Sequence, residues 1–203
     1  MKNAILVIGS AIVILVSACS KNDDGIQIQA HDQNTMMSVM HAMMDSMDMM
    51  TPTNDPEIDF AMMMKMHHMG AINMAHIELS EGGNDSLKRT AQKIIDEQTK
   101  EIADFNAFLT SNSVDNSDPA FAMEQMDNMD KMGKVSDVQL ITGDIDNDFA
   151  TLMMVHHQAA LDNASAYLHH GNNEMLKTMA QNIIDSQTME IEELSAWLKA
   201  NKR

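Results

Sequence analysis

Two stretches of this chain repeat each other: Asp59-Phe-Ala-Met-Met-Met-Lys-Met-His-His-Met-Gly-Ala71 and Asp148-Phe-Ala-Thr-Leu-Met-Met-Val-His-His-Gln-Ala-Ala160. They align at a constant offset of 89 residues, without a gap, through Leu109 and Leu198. Such a chain must fold either as two like units side by side or as one unit made of two matched halves. Both copies retain Phe60/Phe149, Met64/Met153, His67/His156, His68/His157, Ala71/Ala160 and Ala75/Ala164. The steps between these positions follow one face of an α-helix and do not alternate as a strand would.

The punctuation around each copy predicts a helical hairpin. Asp55 is placed to cap a helix that has Pro56 in its first turn and runs from about Glu57 to Glu81. Gly82-Gly83 stops it, and Asn84 caps a second helix from about Asp85 to Thr110. In that second helix Leu87, Ala91, Ile94, Ile95, Gln98, Glu101, Ile102, Phe105, Phe108 and Leu109 fall on one stripe. The second copy predicts helices from about Ile145 to His170 and Glu174 to Lys199, with Gly171 as stop and Asn173 as cap. Neither hairpin can bury its apolar stripe alone. Two of them, joined by a long crossover, predict an all-α, ferritin-like four-helix bundle.

Each hairpin also carries polar residues on its apolar face. These are His67-His68 with Gln98 and Glu101 in the first copy, and His156-His157 with Gln187 and Glu190 in the second. They are candidate metal ligands with supporting partners, or a buried hydrogen-bonded network that sets helix register and binds nothing. Their spacing places His68 and His157 near the middle of the stripe and His67 and His156 at its edge.

The expected layout is a signal segment at residues 1–18, a tether and Met-rich segment at 19–55, and the bundle at 56–203. Within the bundle, repeat 1 covers about 56–110, a linker 111–143 and repeat 2 about 144–203. The charged start, short apolar run from Ala4 to Val16 and small-residue exit have the form of a secretory signal. Val16-Ser-Ala-Cys19 is similar to a bacterial lipobox, which implies cleavage before Cys19 and its lipidation; Cys19 is the only cysteine in the chain. The expected location is therefore the bacterial cell envelope, periplasmic or surface-facing, with the membrane touched only through the lipid anchor. A formal net charge of −17 argues against nucleic acid as a partner.

Methionine use is the compositional anomaly. Residues 31–50 hold eight methionines and one Val, with no Leu, Ile or Phe. An ordinary amphipathic helix draws its apolar face from several residue types. Met36, Met37, Met40, Met43, Met44 and Met47 surround His41 there, and Met123, Met126, Met129 and Met132 recur at every third position of the linker. Two readings stand beside each other: a flexible apolar core, or an array of thioether ligands. Asp144-Ile-Asp-Asn-Asp148 has the acid spacing of a calcium loop, but Phe149 stands where that loop needs glycine, so these acids are placed at a helix N-terminus.

Thioether sulfur is a soft ligand that selects Cu(I) over hard cations, and imidazole serves copper in either oxidation state. Met64 precedes His67 and His68 by about one turn, and Met153 stands in the same relation to His156 and His157, so sulfur and nitrogen can share an ion. An enzyme of the di-iron type ranks lower, because those bundles need Glu-x-x-His pairs and the chain contains none. A structural or partner-binding envelope lipoprotein with a Met-rich interaction surface is the remaining alternative.

Met-x-x-His-His-x-x-Ala, followed by Leu-x-x-x-Ala-Gln-x-Ile-Ile-x-x-Gln-x-x-Glu-Ile and an aromatic-Leu ending, resembles the bacterial family of unknown function DUF305, here present twice, over Asp59–Leu109 and Asp148–Leu198. The first copy departs by ending in Phe108-Leu109 where the second has Trp197-Leu198. The resemblance implies a ferritin-like bundle and, for Met-rich secreted members, copper binding and copper tolerance. The expected function is accordingly copper sequestration or delivery, Cu(I) favoured, without catalysis. A copper-transport or efflux protein is the expected partner.

Overall fold

The computed structural model describes residues 27–202; the signal segment and Cys19 lie outside them. The described chain is an all-α bundle. After a short 3-10 turn, His31–Gln33, come α1 (Thr35–Asp48), α2 (Pro56–Glu81), α3 (Asp85–Ser111), α4 (Pro119–Ser136), α5 (Ile145–His170) and α6 (Glu174–Ala200). No described helix is long and apolar enough to cross a membrane. The caps are those the sequence predicts. Asp55 accepts from the Glu57 and Ile58 amides, Asn84 from Ser86 and Leu87, and Asn173 from Met175 and Leu176.

The glycine stops work differently from the expectation. Gly82 and Gly171 have φ of −62° and −74°, so neither uses the left-handed conformation that commonly ends a helix. A Cβ at Gly82 would strike the Glu78 carboxyl, and one at Gly171 would strike the Tyr167 ring. Each glycine is small so that a side chain from the preceding turn can lie over it.

The matched halves are larger than the sequence comparison suggested. Met37/Met126, Met40/Met129 and Met43/Met132 also fall at the 89-residue offset, which brings α1 and α4 into the repeat. The loops that follow them have the same hydrogen bonds. In the first, the Thr53 amide and hydroxyl donate to Asp59 Oδ1 and the Asn54 amide to Oδ2. In the second, Thr142 and Gly143 treat Asp148 in the same way. Asn54 and Gly143 are the only described residues with positive φ, at 65° and 77°. The unit is therefore a three-helix motif, α1–α2–α3 and α4–α5–α6, with its two copies related by an approximate two-fold axis.

Across that axis α2 packs on α5; α3 and α6 flank the pair, and α1 and α4 close over it. Reciprocal clasps join the halves. Asp146 at the start of α5 accepts from the Gly83 and Asn84 amides of the first hairpin turn, at 2.8 and 3.0 Å. Glu57 at the start of α2 accepts from Asn172 in the second turn, at 2.7 Å. The aromatic core lies at one end of the central pair, where Phe60 stacks on Tyr167 at 4.3 Å and meets Phe105 edge-on.

The Met-rich segment is part of this core. Met36, Met37, Met40, Met43 and Met47 are all buried on α1, as are Met129 and Met132 on α4. Burying a thioether side chain supplies the same order of stabilisation as burying Leu, about 1.5–3 kcal/mol. These methionines therefore hold α1 and α4 against the bundle whatever else they do.

Candidate metal centre

His67 on α2 and His156 on α5 lie where the two-fold axis passes. Their rings are stacked, with centroids 3.6 Å apart and planes 32° from parallel. All four paired histidines are fully buried. This corrects the expectation that His67 and His156 sit at the edge of the stripe. That placement considered only α2, α3, α5 and α6, whereas α1 and α4 cover the remaining side of the central pair.

Hydrogen bonding fixes one tautomer. His156 Nε2 lies 2.9 Å from the His67 carbonyl, which can only accept, so Nε2 carries the proton and Nδ1 presents a bare lone pair. That Nδ1 has no protein partner, nor does either ring nitrogen of His67. Burial is the main cause holding both rings well below the ordinary histidine pKa, and the neighbouring imidazoles add to it. The interior thus offers neutral imidazole nitrogens, the form that binds metals. An orphaned buried polar group costs about 1–3 kcal/mol, which a bound ion would offset.

A thioether and an imidazole border the same bare backbone at Gly70. A Cβ built there would run into Met43 Sδ and lie 3.4 Å from His156 Nε2. The missing side chain leaves room for the α1 thioether on the face of α2 that also borders the His156 ring. Ala159 occupies the matching position in the second half.

On the other flank, His68 Nε2 lies 2.8 Å from Glu101 Oε2 and His157 Nε2 lies 2.9 Å from Glu190 Oε2. In both pairs the carboxylate oxygen faces the ring nitrogen at close range but off the line of an ideal hydrogen bond. Gln98 and Gln187 are buried beside them with neither end of the amide hydrogen-bonded. The two pairs differ in their surroundings. Lys93 of α3 reaches Glu190 at 3.3 Å, and the Glu190 side chain is 2% exposed against 21% for Glu101. Burial works against the Glu190 charge, but His157 and Lys93 together hold its carboxyl below the usual value.

The remaining sequence-predicted ligands are dispersed. Met64 and Met153 are buried in the core with Met36, Met37, Met40 and Met47, while Met44 is half-buried against Gly133. His41 is exposed and pairs with Asp137 at 2.9 Å. Met129 and Met132 are buried, whereas Met123 and Met126 point outward, 62% and 56% exposed. Among the described residues no three His, Cys, Asp or Glu side chains converge on one point. The further donor bordering the central histidines is the thioether of Met43 beside Gly70. Sequence reasoning missed Gly70 and Lys93; the signal for Gly70 was a lone glycine inside a helix whose copy has Ala159.

A duplicated helical bundle enclosing neutral imidazoles and thioethers has the donor set of a protein for soft cations. The chain belongs to the family described as Domain of unknown function (DUF305), whose profile matches residues 57–198, across both halves. Among solved structures it is similar to CopM in several states. The Ag-bound form matches at 25% identity and a TM-score of 0.56, covering 72% of this chain and 97% of that one. The apo form matches at 26% and 0.55, covering 72% and 98%. The Cu(I)-bound form matches at 23% and 0.55 over the same shares. No curated protein matches the chain.

Proposed function

We propose that this protein binds copper, as Cu(I) in preference to Cu(II), and sequesters or delivers it as cargo without catalysing a reaction. The observation that carries this reading is the gathering of Met43 Sδ and the His156 ring against the bare backbone of Gly70, beside His156 Nδ1 and the two His67 nitrogens, which have no protein partner. A thioether with neutral imidazoles is a soft donor set that favours a monovalent d10 ion over hard cations such as calcium. The likeness to CopM in its Ag-bound form supports the same class of ion. His67, His156 and Met43 are the residues assigned to the ion. Met64 and Met153 stand one turn from the histidines on their own helices and are the next candidates.

The setting we propose is the bacterial cell envelope, with the bundle tethered through a lipid on Cys19 and loaded or unloaded by a copper-transport or efflux partner. It follows from the lipobox-like Val16-Ser-Ala-Cys19 and from the acidic chain, which favours attraction of cations over adhesion to anionic lipid.

The test is a competitive Cu(I) titration of the protein beside its Met43→Leu variant. Leucine keeps the packing and removes the sulfur. Loss of one equivalent of Cu(I), with Zn(II) unable to compete in either protein, is the expected outcome. Equal Cu(I) stoichiometry in both proteins would remove the Gly70 site.

A further inference from the structure

The approximate two-fold axis permits an internal comparison at the α3–α6 seam. These helices touch near their middles and leave a groove at each end. One, of about 500 Å3, is bounded by Asp104 and Phe108 of α3 and by Met175 and Met179 of α6. The other, of about 520 Å3, is bounded by Arg89, Thr90 and Lys93 of α3 and by Glu193 and Trp197 of α6. At the 89-residue offset they are the same groove, and their linings have diverged in one direction. Met175 and Met179 stand where the other groove has Ser86 and Thr90; Thr178 and Asn182 stand where it has Arg89 and Lys93. One groove has thioethers, a carboxylate and no cationic side chain. The other has hydroxyls, two cationic groups and, at the position of Asp104, the Glu193 carboxylate.

The imidazole–carboxylate pairs behind the grooves differ in the same sense. Glu101 lies one turn before Asp104 on α3, keeps 21% of its side chain exposed and has no lysine against it. Glu190 lies one turn before Glu193 on α6 and is closed off by Lys93. Met175, four residues before Met179 on the same side of α6, is 49% exposed. We propose that Met175, Met179 and Asp104 form a soft-cation site at the surface and the port by which the ion reaches His68 and Glu101, while the other groove has no thioether and its carboxylates are offset by Arg89 and Lys93, so that His157–Glu190 serves as a fixed part of the frame. This rests on the reading that the cargo is a soft monovalent cation. It adds a route and makes the two halves unequal.

The test uses Ag(I), which binds thioethers and imidazoles and cannot change oxidation state under the assay. Nitrogen-15 spectra of the histidine side chains, assigned by single His substitutions, follow its arrival at His68 and His157 separately. In the unaltered protein Ag(I) should shift His68 first and leave His157 last. In Met175→Leu/Met179→Leu, and independently in Asp104→Asn, the rate at His68 should fall by about tenfold or more. Uptake at the Met43–His156 site should persist in both variants. Unchanged rates at His68 in both variants, or simultaneous shifts at His68 and His157 in the unaltered protein, would overturn the port. Failure of the unaltered protein to take up any Ag(I) would overturn the functional reading as well, and so separates the two.

Discussion

Glu78 and Tyr167 occupy the same place in the two halves, each lying over the glycine that ends its helix, and each facing an acid of the opposite half. Tyr167 faces Glu57 as a neutral phenol, and burial together with that charge pushes its hydroxyl well up. For Glu78 to fill the matching role beside Asp146 it too must be neutral. Burial, then the Asp146 carboxylate, raise Glu78 to about 8, against a smaller opposing pull from Lys88.

A sign follows for stability against pH. The folded protein keeps the Glu78 proton up to about 8, whereas the unfolded chain releases it near 4.5. Unfolding therefore releases a proton in that window, and stability falls as pH rises through it, by at most about 1.4 kcal/mol per pH unit. Glu78→Gln should flatten this slope and leave the variant the more stable protein near pH 8. Urea midpoints of both proteins across the window check it; parallel curves would refute the buried acid.

His170 supplies the opposite slope. Its ring lies between Asp118 at 2.7 Å and Glu124 at 3.2 Å, joining the end of α5 to the start of α4. Hydrogen bonding to Asp118 first, and then to Glu124, raises its pKa above the ordinary 6.5 despite some desolvation. The stabilisation is complete below 6.5 and is lost as pH rises through the higher folded value. Protection factors of the amides in the first turn of α4, with the intrinsic rise of exchange with pH divided out, should fall over that range, and His170→Gln should remove that fall.

Gly70→Ala tests packing at the candidate centre without metal. Alanine is worth up to about 1 kcal/mol over glycine in a helix interior. Here, however, its methyl would displace Met43 Sδ, so a net loss of about 1 kcal/mol or more is expected. Combined with Met43→Ala, the same change should become neutral or favourable relative to Met43→Ala alone. A double-mutant cycle on metal-free protein with no coupling would mean that Gly70 and Met43 do not constrain each other.

Replacing Met36, Met37, Met40, Met43, Met44 and Met47 together by Leu separates the two roles of α1. The buried positions take Leu at below about 1.5 kcal/mol each, since volume is conserved. Helical content by circular dichroism should hold while Cu(I) capacity falls. Undiminished capacity would leave these methionines a packing role alone.

The boundaries of α2, α3, α5 and α6 could be read from the sequence to within a residue or two, because Asp55, Asn84 and Asn173 stand directly before periodic apolar runs and the second copy repeats the first, whereas those of α1 and α4 could not. That the histidines would meet the Gln and Glu of the facing helix was one of two readings the shared register allowed; that Glu101 and Glu190, and not the glutamines, make the close contact was not legible. Nor was the stacking of His67 on His156, because the angle between α2 and α5 depends on side chains contributed by four other helices. Periodicity also could not tell buried Met129 from exposed Met126, three residues apart on α4, because which face of α4 meets α5 is settled by tertiary contacts. Lys93 escaped notice for a related reason: its partner Glu190 lies 97 positions away, on a helix it touches only near the middle.

The reciprocal clasps, Asp146 on the first turn and Glu57 on the second, also bear on ancestry. Each half secures the other by the same kind of bond, so a single three-helix chain could have assembled with its own twin before the gene doubled. In such a homodimer the stacked imidazoles would be one residue meeting itself on the symmetry axis, and any change to one groove would have altered both. Fusion removed that restriction. Lysine could then seal one seam while methionine lined the other, a division of labour that a symmetric pair cannot encode.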